Sequence, residues 1–321
     1  MMCNKSDSNV TVIIPNYNNK ELLANLLNSL KSIKTSFDII IVDNFSQDDS
    51  VLFLKSNYPE IKLIENKQNK GFAYAVNQGI KESKTKYVFL LNNDTVVQEN
   101  VLDELLKTMN KDNSIFSVSA KMIQLNNNQL IDDAGDNYNL FGWSKKRGNN
   151  HSISEYSEDS EVFGACAGAA LYKRDVFDVI GFFDENFESY VEDMDISFRA
   201  RIHGYKSYYS ANSIVYHYGS ASTGSKYNSF KIKISARNNI YLIYKNMPNW
   251  MKLINFIFIF FGILVKYLFF RRKGYGNDYL DGIKEGIKTK NNLKKITDGT
   301  IRNYLKIEWL MIKNTFNYLF E

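Results

Sequence analysis

The sequence predicts an α/β fold in which a parallel sheet is covered on both faces by helices and is followed by a helical C-terminal region. In the first part of the chain, continuous apolar runs of strand length alternate with segments whose apolar residues recur at helical spacing. The C-terminal part loses this alternation and is rich in lysine. With 321 residues, 44% of them hydrophobic, the chain can bury one large domain or two modest ones.

Four strands are predicted at residues 10–14, 38–43, 61–66 and 86–91. Between them, the apolar residues from Leu22 to Ile33 lie on one helical face, Asp48 and Asp49 open a helix through Leu54, and residues 71–83 form a third helix. Strands that are apolar throughout are typical of a parallel sheet buried on both faces.

All four predicted strands end in small polar residues, and the fourth ends in Asn92-Asn93-Asp94. Asn, Asp and Ser are common in turns, so turn chemistry alone explains any one of these loops. Four such loops at one edge favour a polar pocket, because parallel sheets bind ligands beyond the carboxyl ends of their strands. No loop contains G-x-G-x-x-G, which disfavours a dinucleotide fold of the dehydrogenase type.

The middle of the chain is predicted to be mixed. A strand near residue 116 precedes a polar loop at 126–160, and small residues at 164–170 allow close approach of a ligand or a helix. A helix is predicted to start near Glu192-Asp193, where Asp195 and Arg199 have the i, i+4 spacing of a structural ion pair. Residues 206–222 read as strand, turn, strand and a Gly/Ser loop. The stretch GSASTGSK at 219–226 nearly matches a P-loop, but the final pair is inverted, which favours a flexible lid or an ordinary loop.

The composition of the chain limits the partners and the compartment that the sequence predicts. A net charge of +5 and a pI of about 8.8 are too weakly basic to indicate nucleic acid. The two cysteines form no disulfide framework and no metal-type spacing, so a reducing compartment is expected. The first residues, MMCNKSDSNV, lack the apolar segment of a secretory signal.

Residues 253–270 are almost wholly apolar and are followed at once by Arg271-Arg272-Lys273. Eighteen residues lie at the lower limit for a span, and Asn255 and Lys266 interrupt the run. Trp250 and the basic cluster favour interfacial attachment to anionic lipid on the cytoplasmic side, and a buried core helix is the alternative.

Several motifs together resemble the inverting family-2 glycosyltransferases, within them most closely the bacterial rhamnosyltransferase-like group. The motifs occur in the family's order over roughly residues 10–222: VTVIIPNYNN, IIIVDNFSQD, NKGFAYAVNQGI, LLNNDTVV, GACAGAALYKRDVF, GFFDENFESYVEDMDISFRA and HYGSAS. The resemblance implies a GT-A fold, that is, a Rossmann-like mixed sheet flanked by helices. It also implies a glycosyltransferase domain at residues 1–230 and a helical, membrane-associating region at 231–321.

The resemblance implies that Asp94, the last residue of a D-x-D-type motif, holds Mg²⁺ or Mn²⁺ with His217 as a second ligand. Such a metal stabilises the charge on a leaving diphosphate, and an imidazole ligand shifts the preference toward Mn²⁺. Without the resemblance, Asp94 is equally an N-cap and His217 a packed or surface histidine. The implied donor-binding residues are Pro15, Tyr17, Asp43 (accepting from the pyrimidine base), Asn69, Gly71, Asn92 (in place of the motif's first Asp) and Asn93.

On the acceptor side, the resemblance implies that Asp193 is the catalytic base and that Gly168 lies in the acceptor motif. A carboxylate opposite the leaving group can take the acceptor's proton, which gives direct displacement with inversion. Glu192 is also assigned to the catalytic group, where it orients Asp193 or binds the acceptor.

The predicted reaction is transfer of a single sugar from dTDP-rhamnose or a UDP-sugar to a glycan acceptor, expected to be lipid-linked, at the cytoplasmic membrane surface. No nucleic acid partner is predicted. An inactive sugar-nucleotide-binding or scaffold protein is the alternative. A processive synthase is disfavoured, because the sequence lacks Q-x-x-R-W and several membrane spans.

Overall fold

The computed structural model describes residues 8–219 and 227–320. The first half alternates strands and helices as predicted: β1 (Val10–Asn16), α1 (Lys20–Leu30), β2 (Asp38–Asp43), α2 (Ser50–Asn57), β3 (Lys62–Glu65), α3 (Phe72–Glu82) and β4 (Tyr87–Leu91). These four strands are parallel and lie in the order β3–β2–β1–β4. The prediction of fully apolar strands is wrong for β3, which lies at the edge of the sheet and is only partly buried.

The second half extends the same sheet with antiparallel pairings. Its elements are β5 (Thr95–Val97), α4 (Val101–Met109), β6 (Ile115–Gln124), β7 (Ile131–Asp133), β8 (Asp136–Tyr138), β9 (Ser144–Lys146), β10 (Ser160–Val162), β11 (Ala169–Lys173), α5 (Val176–Ile180), α6 (Glu192–Ile202) and β12 (Lys206–His217). Strand β11 runs antiparallel between β4 and β6, whereas β6 and β12 are parallel. The sheet is therefore mixed and flanked by helices, which confirms the predicted GT-A architecture.

Two predictions for the middle region are wrong. The polar loop at 126–160 contains the short strands β7, β8 and β9, because β7 pairs with β6 and β8 forms a hairpin with β9. The predicted strand–turn–strand at 206–217 is the single strand β12, with a register shift between Ser210 and Ile214 in place of a turn. Beyond Gly219, the predicted lid lies outside the described residues.

Five helices complete the chain: α7 (Ser229–Asn246), α8 (Asn249–Ile254), α9 (Phe256–Arg272), α10 (Gly276–Thr289) and α11 (Ile301–Phe320). One buried cluster joins residues from both sides of residue 230, including Phe163 and Phe198 with Leu242 and Ile307. Burial of this size contributes about 2 kcal/mol for each such side chain. The C-terminal helices thus share a core with the sheet domain.

The apolar segment at 253–270 forms two helices, separated at Asn255. The Asn255 amide donates to the Glu308 carboxylate at 2.9 Å inside the protein, which binds this break to α11. Of α9, only Gly262 is buried, so a fully buried core helix is excluded for this segment. None of the helices in the described part of the chain is both long and apolar enough to cross a membrane.

Candidate active site

Side-chain amides join the carboxyl ends of the central strands. Asn16, at the end of β1, donates to the Asp43 carboxylate of β2 at 2.9 Å, and Asn93, after β4, donates to the side-chain oxygen Oδ1 of Asn16 at 2.8 Å. All three side chains are buried. Buried polar groups need partners, and this chain of hydrogen bonds supplies them. The polar ends of these buried strands therefore hold the rim of the sheet in a fixed arrangement.

A second set of contacts shapes the neighbouring loop at residues 66–71. Asn44 donates to the Asn69 side chain at 2.8 Å and to the Gly71 carbonyl at 3.1 Å. Gly71 has a φ of +86°, and a Cβ there would lie 2.6 Å from the Glu188 carbonyl oxygen. Only glycine fits both conditions. Asn44 was not among the predicted site residues, although it directly follows Asp43.

Asp94 and His217 come together because their strands pair. His217 on β12 is in register with Thr95 on β5, and the Tyr218 amide donates to the Asp94 carbonyl at 3.0 Å. His217 Nε2 then lies 3.3 Å from Asp94 Oδ1. That oxygen is buried and makes no hydrogen bond with a described residue. A buried carboxylate oxygen without a hydrogen bond, facing an imidazole nitrogen, fits a divalent cation such as Mn²⁺.

His217 has a further acidic partner that sequence reasoning missed. Its Nδ1 lies 2.9 Å from the Asp132 carboxylate, and Lys146 lies 2.9 Å from the same carboxylate. Burial alone would lower the pKa of His217, but the hydrogen bond to Asp132 and the negative charges of Asp94 and Asp132 outweigh it and raise that pKa to about 9. A carboxylate behind a metal-binding histidine fixes the orientation of its ring.

Asp133 and Asp136 lie close to this group, together with Cys166. Their ligand atoms lie within 4.8 Å of one another, which would suit a metal by distance alone. Burial, however, raises the pKa of Cys166 well above its usual value, which favours the neutral thiol over a metal-binding thiolate. Asp94 with His217 stays the predicted metal pair.

Glu192 and Asp193 start helix α6 and both line the cavity. The Met194 amide donates to Asp193 Oδ1 at 2.7 Å. Burial raises the pKa of Asp193, against the opposing effects of the Met194 and Ala167 amides and of Lys146. Burial and then the charge of Asp193 raise the pKa of Glu192 well above its usual value. The two carboxyl groups therefore disfavour each other's ionisation, and the more exposed Asp193 keeps its charge more readily.

The segment before α6 has a strained backbone, and hydrogen bonds from α7 hold it in place. Glu188, Tyr190 and Val191 all have positive φ angles, which is uncommon for residues other than glycine. Asn238, fully buried in α7, donates to the carbonyl groups of Phe187, Ser189 and Tyr190 at 2.7, 2.9 and 2.8 Å. Asn238 thereby fixes the direction in which α6 begins. The sequence alone gave no sign of this contact, because it joins residues about fifty positions apart.

Asp195 is structural, as predicted. Its carboxylate lies 2.9 Å from Arg199 Nε and 2.9 Å from Lys245 Nζ, and it accepts from Asn246 at 2.7 Å. It is fully buried and does not line the cavity. The ion pair with Arg199 is confirmed, and α7 supplies two further partners.

One cavity of about 1600 Å³ brings nearly all the predicted site residues together. Its wall includes the following predicted residues: Pro15, Tyr17, Asn69, Gly71, Asn92, Asn93, Asp94, Gly168, Glu192, Asp193 and His217. A Cβ on Gly168 would lie 3.1 Å from the Asn92 amide, so glycine leaves room for that side chain. Asp43 is the exception, because it lies behind this wall with both oxygens bonded to Asn16 and Ser46. Its contact with a base stays a prediction.

A mixed sheet with an acidic cavity at the carboxyl ends of its parallel strands defines a GT-A glycosyltransferase fold. Two solved structures share it at low sequence identity. GalNAc-T7 with UDP, GalNAc and Mn²⁺ matches with a TM-score of 0.61 and 15% identity, over 75% of this chain and 48% of that one. The mannosyltransferase PcManGT from Pyrobaculum calidifontis, with GDP-Man and Mn²⁺, matches with a TM-score of 0.55 and 13% identity, over 94% and 79%.

The chain belongs to glycosyl transferase family 2, whose model matches residues 11–181. TarP of Staphylococcus aureus N315, a poly(ribitol-phosphate) β-N-acetylglucosaminyltransferase, is 32% identical over 33% of this chain and 34% of that protein. The poly-β-1,6-N-acetyl-D-glucosamine synthase of S. aureus COL is 23% identical over 62% and 47%. The chain thus spans less than half the length of these curated relatives.

Proposed function

We propose that the protein is an inverting, metal-dependent glycosyltransferase that moves one sugar from a nucleotide-diphosphate donor to a hydroxyl of a glycan acceptor. The observation that carries this proposal is that Asp94 and His217 line the same cavity as Asp193. A cation-binding pair and a separate carboxylate in one cavity match the two needs of the reaction, which are charge stabilisation on the leaving group and proton removal from the acceptor.

Asp193 takes the proton of the acceptor hydroxyl as that oxygen attacks the anomeric carbon. Its raised pKa suits a general base, because a more basic carboxylate accepts the proton more readily. The Met194 and Ala167 amides orient the Asp193 carboxylate, which lines the cavity where the acceptor would bind. Asp94 and His217 would hold Mn²⁺ or Mg²⁺, which neutralises charge on the leaving diphosphate. Asn69 and Gly71 line the nucleoside side, and Gly168 the acceptor side.

The relatives favour a role in cell-surface polysaccharide synthesis. TarP acts on poly(ribitol-phosphate), and the other relative is a poly-β-1,6-N-acetyl-D-glucosamine synthase. GalNAc-T7 and PcManGT are described with UDP or GDP-Man and Mn²⁺, which supports a nucleotide-sugar donor here. The donor sugar, dTDP-rhamnose or a UDP-linked hexose, and membership of the rhamnosyltransferase-like group stay predictions.

We also propose that residues 231–321 attach the protein peripherally to the inner face of the cytoplasmic membrane. Helix α9 exposes a continuous apolar surface that includes Phe256, Ile257, Phe260, Phe261 and Val265. Large exposed apolar surfaces of this kind mark protein or membrane interaction sites. Arg271-Arg272-Lys273 at its end adds the positive charge that anionic lipid attracts. The acceptor is then lipid-linked, and residues 1–230 carry out the transfer.

Release of nucleoside diphosphate from a panel of nucleotide sugars tests the activity. We expect release from one donor with Mn²⁺, none in EDTA, and a loss of orders of magnitude in Asp94→Asn. Full activity in EDTA would contradict the metal role. Donor binding without any release, with every acceptor extract tried, would instead indicate an inactive sugar-nucleotide-binding protein.

A further inference from the structure

The cavity extends beyond the residues of the sheet. Part of its wall comes from the C-terminal helices and from the β8–β9 hairpin: Ser144, Lys146, Phe230, Lys231, Asn239 and Lys266. Neither the amide network nor the Asp94 and Asp193 groups use Phe230, Lys231 or Lys266. Lys231 and Lys266 make the helical part of this wall cationic, whereas the catalytic part is acidic. The contrast indicates a ligand group of opposite charge.

Lys266 is the one charged residue in the middle of the apolar helix α9. Its ammonium lies over the ring of Trp143, 5.6 Å from the centroid. Within residues 8–219 and 227–320, no carboxylate pairs with it. Burial lowers the pKa of Lys266 to about 8, because nothing compensates its loss of water. A half-buried cation without a counterion costs stability, and such costs are usually retained where a ligand supplies the missing charge.

The surroundings of Lys266 are rigid. The Trp143 indole donates to the Gly262 carbonyl at 3.2 Å, and its backbone amide donates to the Asn139 side chain at 3.1 Å. A Cβ on Gly262 would lie 2.2 Å from the Phe141 carbonyl oxygen, so α9 touches this loop as closely as glycine permits. Lys266 lies one helical turn after Gly262. The fold therefore fixes the ammonium at the cavity wall.

The first turn of α7 adds a second source of positive potential. Ser229, Phe230 and Lys231 all line the cavity, and Asn228 caps the helix by accepting from the Lys231 amide at 2.8 Å. The N-terminus of an 18-residue helix attracts anions through its dipole and its amide groups. Lys266, which contacts Trp143, and the first turn of α7 thus both line the cavity.

The β8–β9 hairpin links this region to Asp193 and, through the contact of Lys146 with Asp132, to His217. Asp136 and Lys146 on the hairpin feel the charge of Asp193, and Ser144 and Trp143 at its other end lead to Lys266. The leaving diphosphate has its own cation site at Asp94 and His217. Resting on the glycosyltransferase function proposed above, we propose that Lys266, held over Trp143 in the cavity that the first turn of α7 also lines, binds a phosphate group of the acceptor.

Binding of matched probes to the full-length protein tests this inference. The donor site is first saturated with Mn²⁺ and UDP or dTDP, and farnesyl phosphate, glycerol 3-phosphate and farnesol are then titrated by calorimetry. We expect Lys266→Met to lower the affinity for the two phosphate probes about ten- to a hundredfold, which is the range for losing a charged hydrogen bond. The affinity for farnesol should not change. Lys284→Met, on the exposed face of α10, is the matched control and should change neither.

The three probes separate the sources of the phosphate. Tighter binding of farnesyl phosphate than of glycerol 3-phosphate assigns the site to a lipid-linked acceptor, and equal binding assigns it to a soluble phosphate ester. Lys266→Met should unfold at the same temperature as the wild type or higher, because methionine replaces an unpaired cation. Lost phosphate binding in a stable variant is therefore a local effect.

Two results would overturn the inference. One is equal binding of farnesyl phosphate by wild type and Lys266→Met, including no binding by either. The other is a variant that loses affinity for nucleotide and Mn²⁺ instead, which would make Lys266 a donor residue. If the wild type binds no nucleotide, but Lys266→Met binds the phosphate probes more weakly than the wild type, only the proposed function is contradicted. The two failures are therefore distinguishable.

Discussion

Asp193 and Asp195 lie two residues apart on the same helix and have opposite environments. Asp195 is buried among two cations and an amide, whereas Asp193 faces the cavity and contacts the backbone amides of Met194 and Ala167. We predict that Asp193→Asn leaves donor affinity nearly intact while transfer falls about 10²- to 10⁴-fold, the range for a positioned general base. Glu192→Gln is the comparison variant, because its loss of transfer beside a normal Asp193 variant would assign the base to Glu192 instead. Calorimetry and product release measure the two quantities, and normal transfer by the Asp193 variant would remove it from the mechanism.

Asp195→Asn should cost stability. The variant leaves Arg199 and Lys245 buried beside a neutral amide, and breaking such a pair costs about 3 kcal/mol. Burial opposes the charge, but Lys245, Arg199 and Asn246 outweigh it and lower the pKa of Asp195 below its usual 3.8. The stabilisation is therefore complete above pH 3.8 and fades as the pH falls below that value. Urea unfolding from pH 7 to pH 3 should give a stability gap between wild type and variant that narrows only in acid, and a gap independent of pH would contradict this account.

At the scale of elements, hydrogen bonds from α7 fix the backbone segment from which α6 begins. Asn238→Leu keeps the side-chain size but removes the donor shared by three carbonyl groups of the strained segment. We predict a fall in kcat of at least tenfold with donor affinity unchanged, because a small displacement of Asp193 disturbs the attack geometry. Asn303→Leu is the matched control, since Asn303 donates to Ile202 at the opposite end of α6. An equal fall in kcat for both variants would mean that general loss of stability is responsible.

The elements that the sequence predicts well are those with local signals. Strands β1, β2 and β4 are apolar runs followed by Asn or Asp, and the start of α6 is marked by two acidic residues. Asp132 and Lys146 were missed because residues 126–160 have no apolar period, and the two residues reach His217 only through the pairing of β7 with β6 and of β8 with β9. The prediction of a turn within β12 was wrong for a related reason. Its neighbour β6 accommodates a bulge between Ser210 and Ile214, which local polar residues cannot distinguish from a turn.

At the scale of the whole molecule, the shared core decides how membrane attachment can be tested. Helix α11 contributes Tyr304, Ile307 and Met311 to the cluster that also contains Phe198. Deleting residues 250–321 would open that cluster and confuse unfolding with detachment. Point substitutions on the exposed face of α9 avoid the problem, because these side chains pack against little of the protein.

Phe256 and Phe260 stack on each other at the surface, where they are 65% and 55% exposed. If α9 lies in the lipid interface, replacing both by Ser removes two inserted rings, a loss of about 2 kcal/mol or about thirtyfold in partitioning. Sedimentation of the full chain with vesicles containing anionic lipid should reveal this loss. Leu52→Ser with Val179→Ser, two equally exposed positions on α2 and α5, should pellet like the wild type. Arg271→Gln with Arg272→Gln should weaken binding to anionic vesicles and leave the weaker binding to neutral ones unchanged, since charge acts only on the anionic surface. Undiminished pelleting of the Phe256/Phe260 variant would mean that α9 does not contact the membrane.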